Sequence, residues 1–162
     1  MIQLRMTQAA VDALIADIRH WGVLGAETGG FLLAPESDPD RLTIVALAGQ
    51  AGIARRRGLF GISGPTIDQL FSWAADAELR IRAQVHSHAR GAFLSPTDLR
   101  HGFDVTGFIS AVVPHFATPS VEPREWGWWE RTAAHWQARA APGVIAGTAS
   151  VVRFDQGGVH AD

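Results

Sequence analysis

The chain has no cysteine, which excludes a disulfide framework and thiol chemistry alike. It has no lysine either: all 14 of its basic residues are arginine. That leaves no side-chain amine to modify, although the high Ala and Gly content points more simply to an Arg-favouring codon composition. No apolar run reaches the length of a membrane span. The opening Met-Ile-Gln-Leu-Arg-Met-Thr has no basic stretch followed by an apolar core, so no signal peptide is expected. A surplus of charge is missing too. A formal net charge of −2 gives no general electrostatic reason to bind nucleic acid or a membrane, and a cytoplasmic location is the default expectation. Internal repeats, low-complexity segments and phosphate loops are absent.

What is present suits one globular domain over 1–162: 162 residues, 47% of them hydrophobic, are enough for a sizeable core. Alternation predicts a first strand over Ile2–Met6. Thr7 then suits the N-cap of a helix over Gln8–Trp21, whose Val11, Leu14, Ile15, Ile18 and Trp21 follow helical spacing. Gly29–Leu33 reads as a buried strand, its two glycines permitting close backbone approach, and Leu42–Ala48 as its hairpin partner. Gln50–Gly58, with Arg55, Arg56 and Arg57, reads as a solvated loop, Leu59–Ser63 as a short strand. A helix runs from Pro65 to about Glu78, with Ile67, Leu70, Phe71 and Ala74 on one face. Further strands follow over Arg80–Val85, Gly107–Phe116, Trp126–Arg131, Ala133–Gln137 and Ala149–Phe154. Gly143–Gly147 reads as a loop and Gln156–Asp162 as a flexible tail. Trp128 and Trp136 read as core ahead of a peptide-binding platform. The class is α+β, a mixed, curved sheet flanked by helices.

The chemistry concentrates in Gln84–Asp98. Side chains two apart on a strand share a face, with Cα atoms roughly 6.6 Å apart, so His86 and His88 can lean toward one ion while Ser87 points the other way. Ser95-Pro96-Thr97-Asp98 reads as a helix start, with Ser95 at the N-cap, Pro96 at the first helical position and Asp98 in the first turn. A carboxylate there can return to the same ion. Two imidazoles, one carboxylate and an open fourth position make a catalytic zinc site. The plainer alternative is a strand-end histidine pair beside an ordinary capped helix. His101 lies three residues after Asp98 and reads as an outer or surface group, His20 as solvated and His115 as structural.

The order His-Ser-His, six residues, then Ser-x-x-Asp resembles the JAMM metalloprotease motif of the MPN domain family. That motif also needs a glutamate upstream, and Glu27 in Glu27-Thr28-Gly29-Gly30-Phe31-Leu32-Leu33 resembles the family's Glu-bearing lead-in to a strand, especially in bacterial members. Two departures stand out: the gap before Ser95 is six residues where seven is usual, and Ala89 stands where proline is usual. The resemblance covers roughly 2–116. It implies an MPN-like domain with Zn²⁺ on His86, His88 and Asp98, Glu27 as proton carrier and Ser95 as donor to the oxyanion. It also implies a zinc isopeptidase that cuts after the C-terminal glycine of a ubiquitin-like protein, in deconjugation or precursor processing. Release of a sulfur-carrier tail or short peptide, or a non-catalytic scaffold, are the alternatives. Phe93 and Leu94 either line the substrate groove or pack beneath the loop. No long insertion beside the site is evident, which argues against selectivity for one ubiquitin linkage.

Overall fold

The computed structural model describes residues 3–162, the side chain of His101 excepted. The chain runs β1 (Arg5–Thr7), α1 (Gln8–Gly22), β2 (Gly29–Pro35), β3 (Arg41–Leu42), β4 (Ile44–Ala48), β5 (Ile53–Arg56), β6 (Leu59–Ile62), α2 (Gly64–Asp76), β7 (Leu79–Ser87) and α3 (Pro96–His101). It continues through β8 (Ile109–Val113), a 3₁₀ turn at Pro123–Glu125, β9 (Gly127–Arg131), β10 (Trp136–Ala138), β11 (Gly143–Ile145), β12 (Ser150–Asp155) and β13 (Gly158–Ala161). Eight strands form one sheet in the order β10-β9-β8-β7-β2-β4-β12-β13. The β7–β8 and β4–β12 pairs are parallel and the rest antiparallel, so the sheet is mixed.

The middle of the sheet is buried on both faces, and the sequence of β2 shows why. Its run Gly29–Pro35 is continuously apolar, the pattern of a strand covered on both sides. Leu32 and Ala34 pack toward α1 with Leu14, Ile18, Val45, Val85 and Ile109. Phe31 and Leu33 pack the other way, toward α2, with Ala46, Leu70, Ala74 and Phe154. α1 begins where Thr7 Oγ1 accepts the Ala10 N–H, and α2 where Ser63 caps Thr66. A bulge in the β2–β7 pairing near Leu32 and Leu33 turns Arg82 toward Asp40, 3.1 Å away.

Several expectations need correction. The first strand comprises Arg5–Thr7, and Ile2 lies outside the described residues. The segment read as a solvated loop contains β5, which pairs with β6 across the two-residue turn Arg57-Gly58; Gly58, at φ +84°, supplies the left-handed backbone that turn requires. Gly143–Ile145, read as loop, is a strand because β1 offers it a parallel edge. The tail expected to be flexible is β13, paired along β12 and anchored by Asp162 to Arg153 at 2.9 Å. Trp128 is core, 3% exposed, with its indole N–H on the Pro123 carbonyl.

The two glycines opening β2 do what close approach requires. A Cβ at Gly29 would lie 2.2 Å from the Val85 carbonyl oxygen, and one at Gly30 2.3 Å from that of Ala46. Both obstacles are backbone of adjacent strands. Gly30→Ala is therefore expected to lower stability by about 1–3 kcal/mol, the usual cost of overpacking. Urea unfolding checks this; an unchanged midpoint would mean the sheet yields freely there.

Candidate metal centre

β7 delivers His86, and the chain carries His88 one residue beyond the strand's end. Both are only 6% exposed. Past Ser87 the ladder to β8 continues through loop backbone: the His88 N–H donates to the Val113 carbonyl, the Phe116 N–H to that of His88, and the His115 N–H to that of Arg90. Those bonds hold the short loop that leads to α3. Ser87 points away from the imidazoles, as alternation predicts. Its Oγ accepts the Thr28 N–H at 3.0 Å and so ties the His-bearing strand to the residue after Glu27. His115 is exposed and has a left-handed backbone at φ 56°.

α3 brings the carboxylate back. Ser95 Oγ accepts the Asp98 N–H at 3.1 Å, and Asp98 Oδ2 accepts the Ser95 N–H at 2.8 Å, a reciprocal capping box. This fixes Asp98 over the imidazoles. His86 Nε2 stands 3.2 Å from His88 Nε2, 3.1 Å from Asp98 Oδ1 and, for His88 Nε2, 3.3 Å separates it from Asp98 Oδ2. Donors bonded tetrahedrally to zinc at about 2.0–2.1 Å stand about 3.3–3.4 Å apart. The imidazole–imidazole separation is close to that edge, and the carboxylate turns one oxygen to each imidazole. His88 Nδ1, 3.1 Å from the Gly91 carbonyl, is placed to donate to it, which leaves the Nε2 lone pair facing the cluster. The three donor groups can hold a metal ion.

The electrostatics agree. Burial opposes ionisation of Asp98, but hydrogen bonds from both imidazoles and from the Ser95 N–H override it and hold the carboxyl far below the usual carboxylate range. Burial likewise opposes protonation of His88, yet the Asp98 hydrogen bond and the charges of Glu27 and Asp98 raise its pKa. The cluster attracts positive charge, and a proton competes with a cation for it.

Glu27 joins the same cleft. It is 6% exposed, and its backbone N–H donates to the Arg56 carbonyl. Burial raises its carboxyl above the ordinary 4.5, while the His88 and His86 charges pull the other way. Two cavities meet at Asp98. One, of about 460 Å³, is lined by Glu27, His88, Phe93 and Ser95; the other, of about 440 Å³, by His86, Ile67 and Phe103. Leu59, Phe60 and Thr97 line both. Phe93, 53% exposed, sets its ring edge-on to His88 at 4.8 Å. Leu94, expected beside it, is half-buried and lines neither cavity. The role expected of His101 lies outside the described residues.

Two contributors were not anticipated. The β5–β6 hairpin walls the cleft. Arg55, read as solvated, is the clamp that holds this hairpin. Its Nε donates to Thr28 Oγ1 at 2.9 Å, its other nitrogens donate to the Ala48 and Gly49 carbonyls, and its guanidinium lies 4.2 Å over the Trp21 ring. The glycine of Arg57-Gly58 just before the apolar run Leu59–Ile62 was the available turn signal; nothing local marks Arg55 as buried.

Because protons compete for the cluster, metal affinity is expected to fall as pH drops through the raised His88 pKa. Reconstituted protein should hold one divalent ion per chain at neutral pH and lose it on acidification, and His88→Ala should lose it throughout. Metal analysis after gel filtration reads both. Full occupancy in a His86/His88 double substitution would remove the assignment.

No protein-family model matches the chain, and no curated protein matches it. Among solved structures, the chain resembles a protein from Desulfitobacterium hafniense at 16% identity and TM-score 0.62, covering 90% of this chain and 93% of that one. It resembles a protein from Salinibacter ruber at 20% identity and TM-score 0.55, covering 86% and 91%. A JAB1/MPN domain protein from Archaeoglobus fulgidus aligns at 11% identity and TM-score 0.52, covering 88% and 98%. At these identities the likeness speaks for architecture, and the architecture is MPN-like.

Proposed function

We propose that the chain is a zinc-dependent isopeptidase or peptidase that hydrolyses the bond after the C-terminal glycine of a ubiquitin-like protein. The observation that carries this reading is the convergence of buried Glu27 with His86, His88 and Asp98 in one cleft, with the Ser95 hydroxyl on its rim. A scaffold has no need of that complete set. Two imidazoles and a carboxylate suit zinc. When bound, zinc would lower the pKa of a water toward about 7 and polarise the amide carbonyl.

The chain's own residues carry the rest. Glu27 takes the attacking water's proton and passes it to the leaving nitrogen as the C–N bond breaks. Its raised pKa suits a group that must both accept and give. Ser95 Oγ accepts the Asp98 N–H and keeps its own O–H to donate to the developing oxyanion. Losing one such donor costs roughly 10²–10³ in rate. The cavity walled by Leu59, Gly61, Ile62 and Ile67 suits a flexible, side-chain-poor tail lying extended beside β6, with backbone hydrogen bonds supplying affinity.

Two outcomes test this. Glu27→Gln should keep metal and fold while hydrolysis falls. In the wild type, the acid limb of kcat/KM should lie above the ordinary glutamate pKa, since the base form is lost as pH falls through the raised value. A Glu27→Gln variant active within a few-fold of wild type would end the proton-carrier role; one that loses metal would make Glu27 a ligand. For the substrate, a ubiquitin-like fusion with Gly-Gly at the junction should be cut faster than the same tail as a free peptide. Faster cleavage of the bare peptide, or a cut away from the glycine carbonyl, would favour general peptidase activity.

A further inference from the structure

The cleft is electrically lopsided. On the α2 side its walls are Leu59, Phe60, Ile62, Ile67 and Phe103, with Asp98 the only acidic residue and no arginine. On the Glu27 side stand two arginines, Arg57 and Arg90. Both are exposed, and among the described residues neither guanidinium has an ion-pair or hydrogen-bond partner. Most other arginines near a carboxylate are engaged: Arg82 with Asp40, Arg131 with Asp104, Arg139 with Glu130, Arg153 with Asp17. The backbones of Arg57 and Arg90 are meanwhile well held. Arg57 occupies the β5–β6 turn, whose strand Arg55 clamps, and the Arg90 carbonyl accepts the His115 N–H. Two unpaired cations therefore flank the cleft on fixed supports, while the carboxylates between them are committed to the metal cluster and to proton transfer.

Direction follows from Glu27. It lines only the cavity that carries the two arginines. If Glu27 protonates the leaving nitrogen, the amine-bearing half of the substrate departs on the side of the arginines. We propose that Arg57 and Arg90 form a subsite for a carboxylate on the amine-bearing half of the substrate, near the scissile bond; the direction assigned to it rests on the hydrolase reading above. Guanidinium groups pair with carboxylates in a planar, two-point fashion that lysine does not match. The exposed Phe93 ring between the loop and the cluster offers an apolar floor for the backbone that links amine to carboxylate. That carboxylate has two possible sources: the C-terminal carboxylate of a short leaving peptide, or an Asp or Glu side chain beside an acceptor amine.

Binding of amine-side fragments to the zinc-reconstituted protein tests this without needing turnover. The probes are Ala-Asp-Asp-amide, Ala-Asn-Asn-amide and Ala-Asn-Asn with a free C-terminus, titrated calorimetrically at low ionic strength. Exposed ion pairs are individually weak, so one or both anionic peptides should bind about three- to tenfold more tightly than the neutral amide. The preference should collapse in about 0.5 M salt. Which anionic probe gains identifies the source. Arg57→Gln/Arg90→Gln should abolish the preference, and Arg57→Glu/Arg90→Glu should reverse it toward Ala-Arg-Arg-amide, with metal content and thermal midpoint unchanged. Equal affinity for all three probes, or a preference that survives in the double variants, overturns the subsite. An anion preference in a protein that leaves Gly-Gly fusions intact would retire the hydrolase reading and keep the subsite. Cleavage indifferent to charge, with equal binding, would do the reverse.

Discussion

The site depends on the antiparallel seam between β2 and β7. Gly29 lies opposite His86, and the missing Cβ lets the two backbones close to a distance that any side chain would forbid. Ser87 and Thr28 then cross-bond beyond the ladder, so the glutamate lead-in and the histidine pair move as one body. Sequence separation between Glu27 and His86 is large, but their relative position is set by strand register, which cannot slip by one residue without turning Phe31 and Leu33 into the wrong core. The geometry of the donor cluster is thereby fixed by the packing of apolar residues that never touch it.

The second support is local. α3 is a short helix whose only strong internal determinant is the Ser95–Asp98 capping box. The carboxylate that caps the helix also faces the imidazoles, so helix start and metal donor are one structural decision. Its loop is one residue shorter than the usual motif and lacks the proline, yet His88, Arg90 and Phe116 bond across to one another's segments and hold it. With this loop in place, the three donor groups still come together.

How much of this was legible in the sequence follows from range. Helical spacing placed α1 and α2, alternation placed β7, and short apolar or aromatic runs placed β2, β4 and β9 within a few residues. The donors His86, His88 and Asp98 were legible because their spacing is local to one strand end and one helix cap. What escaped was set by distant partners. β11 exists because β1 offers an edge, β13 because β12 does, and Arg55 is buried because Trp21 and the Ala48–Gly49 carbonyls come to it from elsewhere in the chain. An arginine triplet looks solvated until such partners are known. For Leu94 the sequence left open the groove or packing beneath the loop, because adjacency to Phe93 does not decide which of two neighbouring side chains faces a cleft; it is half-buried and lines neither cavity.

The placement of β1 bears on how the chain is made. β1 lies between β3 and β11 in parallel with both, so a strand near the start of the chain waits for one near its end. The central sheet is also incomplete until β12 arrives beside β4. During synthesis every metal donor and Glu27 therefore emerge while the edge of β4 is still open, and long-range pairings of this kind close slowly. Until β12 pairs with it, β4 is an open edge of the kind that invites pairing with another chain, so β12 and β13, remote from the cleft, protect the sheet that carries the donors.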